Sequence, residues 1–391
     1  MSAPATPSAP VAQSLLLSIA VAVALALLIL VYQVGSPRLA MAAAIGLFAG
    51  VALYHASFGF TSAWRRFLFE RRGAGLRAQI ALILLTCAVS FPLLASGEFL
   101  GRPLHGAVAP FGLAAALGAF MFGVGMQFGG SCASGTLFTA GGGNARMLVT
   151  LAGFIAGSVI ATAHLPYWWT LPTLPSFSLV DSYGAILAFS LTALGLGLLF
   201  IYSRQRELRH FGSLEKPPER IDLLRGPWPK SWGCIALAIV GIATLFVLAR
   251  PWGITGAFAL WGGKLAQGAG VPVETWPYWQ DRLGWLNRSV LTDATSVMNF
   301  GIVIGALAAA AAGGHFAPTF KIPLKQLLLS LCGGLLMGYG ARLAYGCNIG
   351  AYLGGVISGS LHGWGWLVFG FLGSWLGGLL LFKAPSIQPD R

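Results

Sequence analysis

The chain has 391 residues, of which 56% are hydrophobic and 9% charged, and its mean hydropathy is +0.76. A water-soluble protein of this length cannot cover so much apolar surface, so lipid is the solvent for most of it. The formal charge of +13 does not argue for nucleic acid, because the basic residues sit between apolar runs rather than on a soluble basic face.

Ten segments approach the roughly 20 apolar residues that a spanning helix needs. They are 14–34, 38–55, 77–95, 107–126, 145–164, 183–202, 232–249, 295–312, 325–341 and 363–382. A neutral Ala/Pro/Ser stretch precedes the first, without the positive region of a secretion signal, so it reads as a retained helix. The polar stretch 203–231, with both charge signs and Pro217, Pro218, Pro227 and Pro229, splits the chain near its middle. The expected units are 1–37, an N-terminal segment and first helix; 38–202, a first repeat plus connecting helix; 203–231, a cytoplasmic linker; and 232–391, a second repeat. With the N-terminus inside, cytoplasmic loops hold 17 Lys and Arg, Lys383 and Arg391 included, against 7 on the other side. Both termini are therefore expected in the cytoplasm.

Five cysteines, Cys87, Cys132, Cys234, Cys332 and Cys347, show neither CxxC nor metal spacing. Laying the second half over the first at one constant offset places Cys347 on Cys132, Gly350 on Gly135 and Arg342 on Gln127. FGFTSAW at 58–64 matches WGITGAF at 252–258, and Gly153-Phe154 matches Gly370-Phe371, in the same order. Such order argues for duplication. Five crossings separate the second helix from the seventh, where the copies begin, so the second copy is expected upside down. Secondary transporters use this plan, with the substrate site where the halves meet.

Four glycine-rich segments, 58–63, 129–138, 253–263 and 346–355, are too short and polar to span. Non-helical backbone at membrane depth survives only where protein or a watery cavity covers it. The expected architecture is thus an all-α polytopic membrane protein, with two inverted repeats and re-entrant glycine-rich loops meeting at the centre. Gly130, Ser131, Ser134, Gly135 and Thr136 around Cys132 offer close backbone approach and hydroxyl donors. The second copy keeps the thiol of Cys347 with Gly346 and Gly350 but carries Asn348. A soft thiol suits a substrate with an exposed sulfur better than one with hard oxygens alone. Cys87, Cys234 and Cys332 read as small hydrophobes packed in helices. Arg342 is either an anion contact or an interfacial anchor, and Lys264 ends the third loop. The tryptophans, including Trp168, Trp169, Trp276, Trp279, Trp364 and Trp366, cluster near membrane boundaries and read as an aromatic belt, and the histidines lack metal spacing.

The motifs GMQFGGSCASGT at 125–136, RLAYGCNIGA at 342–351 and SGSLHGW at 358–364 resemble the YeeE/YedE sulfur-transport family, from about Gly46 to Leu381. The resemblance implies a multi-pass inner-membrane importer of thiosulfate or a related sulfur anion, which passes the substrate along cysteine thiols by hydrogen bonds. Two relay positions fall on Cys132 and Cys347. Where that family often carries a third cysteine, in a pattern like RFCFT, this chain has SFGFT at 57–61, with Gly59 in the cysteine's place. The outer relay step is then expected to be missing, or to use Ser57 or Thr61. Gly59, Thr61, Thr255 and Arg342 complete the expected substrate contacts. No catalytic residue, metal or cofactor is expected; a cytoplasmic sulfurtransferase docking on the linker is a further expected partner. The alternatives are a transporter of selenium-linked or other sulfur compounds, or a membrane sulfur-transfer enzyme using Cys132 as nucleophile.

Overall fold

The computed structural model describes residues 10–382; residues 1–9, Lys383 and Arg391, to which sequence expectations were attached, lie outside the described residues. The described chain is almost entirely helical and contains ten helical units long and apolar enough to cross a membrane, so this is a multi-pass membrane protein. In chain order the helices of the first half are α1 (Pro10–Val34), α2 (Pro37–His55), α3 (Phe60–Phe69), α4 (Ala74–Ser96), α5 (Leu113–Gly129), α6 (Ala133–Gly141), α7 (Arg146–Trp168) and α8 (Leu179–Phe211). The second half holds α9 (Lys230–Leu248), α10 (Thr255–Gly268), the short α11 (Pro277–Gln280) and α12 (Leu283–Asn287), then α13 (Ala294–Ala312) and α14 (Leu324–Leu343). A π-helical segment, Asn348–Leu353, continues into α15 (Gly354–Val356), and α16 (Leu361–Phe382) closes the chain.

Three boundaries differ from expectation. Residues 107–112 are not helical: Phe111-Gly112 pairs with Thr173-Leu174 as two short strands, and α5 starts at Leu113. The amphipathic start of the polar stretch, 203–211, is the end of α8, closed by Gly212 in the left-handed region (φ 69°). The four glycine segments are mostly helical; only their first few residues leave the helix, after which α3, α6, α10 and the π-helical segment begin.

The element order repeats. α6 and the π-helical segment start at Ala133 and Asn348, and α7 and α16 start at Arg146 and Leu361, both pairs separated by the same interval as Cys132 and Cys347. Packing follows the same exchange: α2 lies on α13 as α9 lies on α4, α7 on α14 as α16 on α5, and α10 on α7 as α3 on α16. Small residues make these approaches possible. Gly46 and Gly50 of α2 face Met298 and Ile302 of α13, while Gly301 and Gly305 of α13 face Ala43 and Leu47, so a Cβ at any of the four would collide with backbone. The spans of α1 and α8 are each 17% buried against 67% for that of α13, which puts α1 and α8 outermost, against lipid.

Several tryptophans expected at the membrane boundary are in the interior instead. Trp279 and Trp366 are buried, as are Trp64 and Trp252. Trp279 donates its indole N–H to Thr162 Oγ1 (3.1 Å), and Trp366 stacks on Tyr352 with centroids 6.2 Å apart. Cys87 and Cys234 are buried as expected, but Cys332 is exposed on α14.

Candidate functional site

Each of four long helices ends in a residue of left-handed backbone where its short successor begins: Ser57 (φ 44°) after α2, Gly130 (φ 80°) after α5, Ala249 (φ 57°) after α9 and Tyr345 (φ 61°) after α14. Only Gly130 adopts this region without steric cost; the other three each store on the order of 1–2 kcal/mol, as strained backbone at functional sites does. Immediately beyond, α3, α6 and α10 start without any side-chain cap, at Gly59, Cys132 and Ile254. Their first-turn N–H groups stay open for a partner, and an anion is the natural one.

Two cavities adjoin these breaks. The first, about 570 Å³, is lined by Ser57, Gly59, Thr61 and Ser62 of the α2–α3 break and by Gly130 and Ser131 of the α5–α6 break. Asn144, Arg225 and His315 complete its wall. The second, about 460 Å³, is lined by Gly253, Thr255 and Gly256 of the α9–α10 break and by Arg342, Tyr345, Gly346 and Gly350 of the α14 break. Pro227, just before α9, lines the first cavity and Arg250, just after α9, the second. The cavities thus sit at opposite ends of a 19-residue helix, about 28 Å apart along it. The first is the linker-side cavity and the second the opposite cavity.

Six of the fourteen candidate residues line neither cavity. Cys132, Ser134, Gly135, Thr136, Cys347 and Asn348 lie on, or immediately before, α6 and the π-helical segment, which touch each other; the burial of the five that carry polar or thiol side chains is nearly complete. The two thiols are within electrostatic reach of each other. Cys132 Sγ lies 3.5 Å from Ser134 Oγ. A Cβ on Gly135 would strike Ser131 Oγ and come 3.4 Å from Cys132 Sγ, so glycine keeps this approach open. Thr136 is directed elsewhere: its hydroxyl donates to Cys132 O (2.8 Å), within its own helix.

The most informative atoms here are those with nothing to bond. Asn348 is fully buried, yet neither Oδ1 nor Nδ2 has a partner, and the same holds for Thr61 Oγ1, Tyr352 Oη and Trp252 Nε1. A buried amide without hydrogen bonds costs about 1–3 kcal/mol, so such groups need a reason to persist. A visiting ligand that accepts from Nδ2 and from hydroxyls supplies one.

In the opposite cavity Arg342 does not snorkel outward. Its Nη2 donates to Thr255 Oγ1 (2.9 Å) and Nη1 reaches Tyr278 Oη (3.4 Å), while buried Nε has no partner. Arg250 joins it, held by Thr295 Oγ1 (3.0 Å); burial lowers its affinity for a proton and nearby Asp293 partly offsets this. Asp293 itself caps α13 through Ser296 N (2.8 Å). Lys264 is occupied elsewhere, donating to Leu286 O (2.6 Å). Gly59, which stands where the resembling family often carries a cysteine, lines the linker-side cavity.

Sequence reasoning missed Arg250, Tyr352 and Trp252. From the sequence Arg250 is one of the seven basic residues assigned to the non-cytoplasmic loops, although it stands two residues before the repeated WGITGAF motif. Tyr352 has Leu137 at its matched position, so the repeat carried no signal for it.

The family model described as Sulphur transport matches residues 55–376 of the chain. The probable transporter YedE of Escherichia coli is 32% identical over 162 residues, 40% of this chain and 40% of that protein, so the match spans well under half of this relative. The thiosulfate transporter TsuA of Spirochaeta thermophila is 27% identical over 360 residues, covering 87% of this chain and 98% of its own length. TsuA of Escherichia coli is 25% identical over 70% of this chain and 76% of that protein.

Proposed function

The chain belongs to the sulphur transport family, and from that premise we propose that it imports thiosulfate or a closely related sulfur anion through the two cavities and the buried neck between them. One observation carries this reading: Cys132 directly follows Gly130 and Ser131 of one cavity wall, Cys347 directly follows Gly346 of the other, and the two segments they begin touch each other beside a buried Asn348 with no partner of its own. Relatives named as thiosulfate transporters support the substrate class.

In this reading the halves are inverted repeats, and α3, α6, α10 and the π-helical segment are re-entrant. The exchange of packing partners between the halves supports both. The anion enters the opposite cavity, where Arg342, Thr255 and the open first turn of α10 receive it. It then passes Gly346, Gly350, Cys347 and Asn348 to Cys132, Ser134 and Gly135. It leaves past Gly130, Ser131, Gly59 and Thr61. The thiols donate hydrogen bonds to the substrate without any bond being made or broken, and Thr61, whose hydroxyl is unpartnered, takes the place of the missing third thiol. The loop charges support both termini in the cytoplasm of a cell bounded by an inner membrane, and the linker-side cavity would then face a cytoplasmic sulfurtransferase. The enzyme alternative draws little from the geometry, since the side chain that meets Cys132 Sγ is the hydroxyl of Ser134, not a base that would generate a thiolate.

Uptake of radiolabelled thiosulfate into proteoliposomes tests the reading. Wild-type protein should transport it, sulfate should compete poorly, and Cys132→Ala and Cys347→Ala should each reduce uptake at least about tenfold, the scale of a lost hydrogen bond to a charged ligand. Undiminished uptake in both variants would overturn the relay; Cys132→Ser retaining more uptake than Cys132→Ala would favour hydrogen bonding over covalent chemistry.

A further inference from the structure

The linker contributes to the linker-side cavity itself, and its chemistry there is one-sided. Residues 223–230 are clamped onto the end of α2. Trp228 is buried, donates its backbone N–H to His55 O (2.9 Å) and its indole N–H to Leu223 O (3.0 Å), and packs its ring on the His55 imidazole at 5.3 Å. Lys230 Nζ donates to Ala56 O (2.6 Å) and Ser57 O (2.7 Å), the carbonyls released where α2 breaks. A Cβ on Gly226 would meet the His55 ring, so glycine lets the linker lie this close. Between these anchors stands Arg225, exposed and lining the cavity with His315 and Asn144.

Among the described residues lining this cavity there is no Asp or Glu. Asp222 on the linker, within electrostatic reach of Arg225, is not part of the cavity lining, and its carboxylate is engaged by the backbone N–H groups of Leu224 and Arg225 (2.8 and 2.9 Å). Asn144 uses its Oδ1 on Arg146 N (3.1 Å), which leaves its amide N–H₂ for another acceptor. The uncapped first turn of α3 opens on the same space. A guanidinium, an amide donor and open backbone N–H groups, with no carboxylate in the cavity lining, are what a small oxyanion requires.

The geometry points to a second anion-binding site in the linker-side cavity, in which Arg225, held by the docked segment 223–230, receives the anion after it leaves the neck. This extends the transport reading but does not depend on either cysteine. The linker is then part of the pathway's wall. Lengthening or undocking it removes a cation from the exit rather than merely loosening a tether between halves.

A local probe tests this. In full-length protein with its five native cysteines replaced, a single reporter, Thr139→Cys, lines the same cavity. Its rates of modification by an anionic sulfonatoethyl and a cationic trimethylammonium-ethyl methanethiosulfonate are compared, with and without sulfate. With Arg225 present the anionic-to-cationic ratio should be about threefold to tenfold higher than in Arg225→Gln, as expected for one partly solvated charge nearby. Arg225→Lys should keep the ratio, Trp228→Ala should lose it, and sulfate should slow modification only where the cation is in place. A ratio indifferent to Arg225→Gln, or sulfate protection that survives it, overturns the site. Thiosulfate uptake by the native-cysteine protein is measured separately. Absent uptake with an intact Arg225-dependent ratio would sink the transport reading and leave the anion site standing.

Discussion

The two cysteine turns occupy matched places in the two halves and solve the same problem differently. After Cys132 the chain enters an α-helix at once, and its polar side chains find partners: Ser134 at the thiol and Thr136 on the backbone. After Cys347 it enters a π-helical segment, and the first residue, Asn348, is buried with its whole amide unsatisfied. The matched turns share the thiol and the glycine three residues on, while their hydrogen-bonding residues differ. A π-helical turn is costly to keep and tends to mark functional positions. In the proposed pathway the Cys347 turn, with its unsatisfied amide, holds the ligand, and the Cys132 turn, whose hydroxyls have partners, passes it on.

That asymmetry is broken most directly at Asn348. In Asn348→Leu the unpaired amide disappears and a side chain of similar volume fills its place, so thermal stability in detergent should rise by about 1 kcal/mol. Thiosulfate uptake should fall at least about tenfold, the worth of a hydrogen bond to an anion in a dry site. A variant that loses both stability and uptake would mean that Asn348 is a structural residue. Serine at the matched turn offers the contrast: Ser134→Ala removes a hydroxyl that already has a partner, and should cost uptake less.

A second contrast separates the cavities from the neck. Arg342→Gln keeps a donor for Thr255 Oγ1, which the guanidinium holds at 2.9 Å, but removes the charge facing the opposite cavity. The half-saturating concentration of thiosulfate should rise by roughly threefold to tenfold with little change in maximal rate, as for a partly solvated charge contact. A fall in maximal rate alone would place Arg342 in the neck's machinery instead.

How much of this was legible in the sequence follows from what each kind of signal encodes. Hydropathy located all ten spans, because lipid demands a continuous apolar stretch regardless of packing. The constant offset that pairs Cys132 with Cys347 also pairs the starts of α6 and α7 with Asn348 and Leu361, because helix starts are set locally by glycines and breaks. Hydropathy failed at residues 107–112, whose apolar run continues past the point where strand pairing with Thr173-Leu174 takes over. It also placed Trp366 in the boundary belt, since composition cannot distinguish an indole at the lipid surface from one stacked on Tyr352. In the site, the glycines and cysteines announced themselves by repetition. Arg250, Arg225 and Tyr352 did not, because a cavity wall is assembled from residues distant in sequence and unrelated by the repeat.

The smallest expected effect probes the strain at the breaks themselves. Gly130 and Tyr345 stand at matched positions, each two residues before its cysteine, and both are left-handed, at φ 80° and 61°, but only one is glycine. Gly130→Ala should destabilise by about 1 kcal/mol, because a Cβ disfavours that backbone, and Tyr345→Gly should recover part of a similar strain. The gain will be reduced by the loss of the tyrosine's edge contact with His362, at 6.0 Å between centroids, and by the greater freedom of glycine when unfolded. Thermal unfolding of the two variants side by side reads the comparison. If Tyr345→Gly is more stable than wild type while uptake drops, the strained tyrosine is kept for its side chain at the mouth of the opposite cavity, where it lines the wall beside Gly346. If uptake is unchanged, the left-handed turn alone is what both halves require, and the identity of the residue that makes it is free.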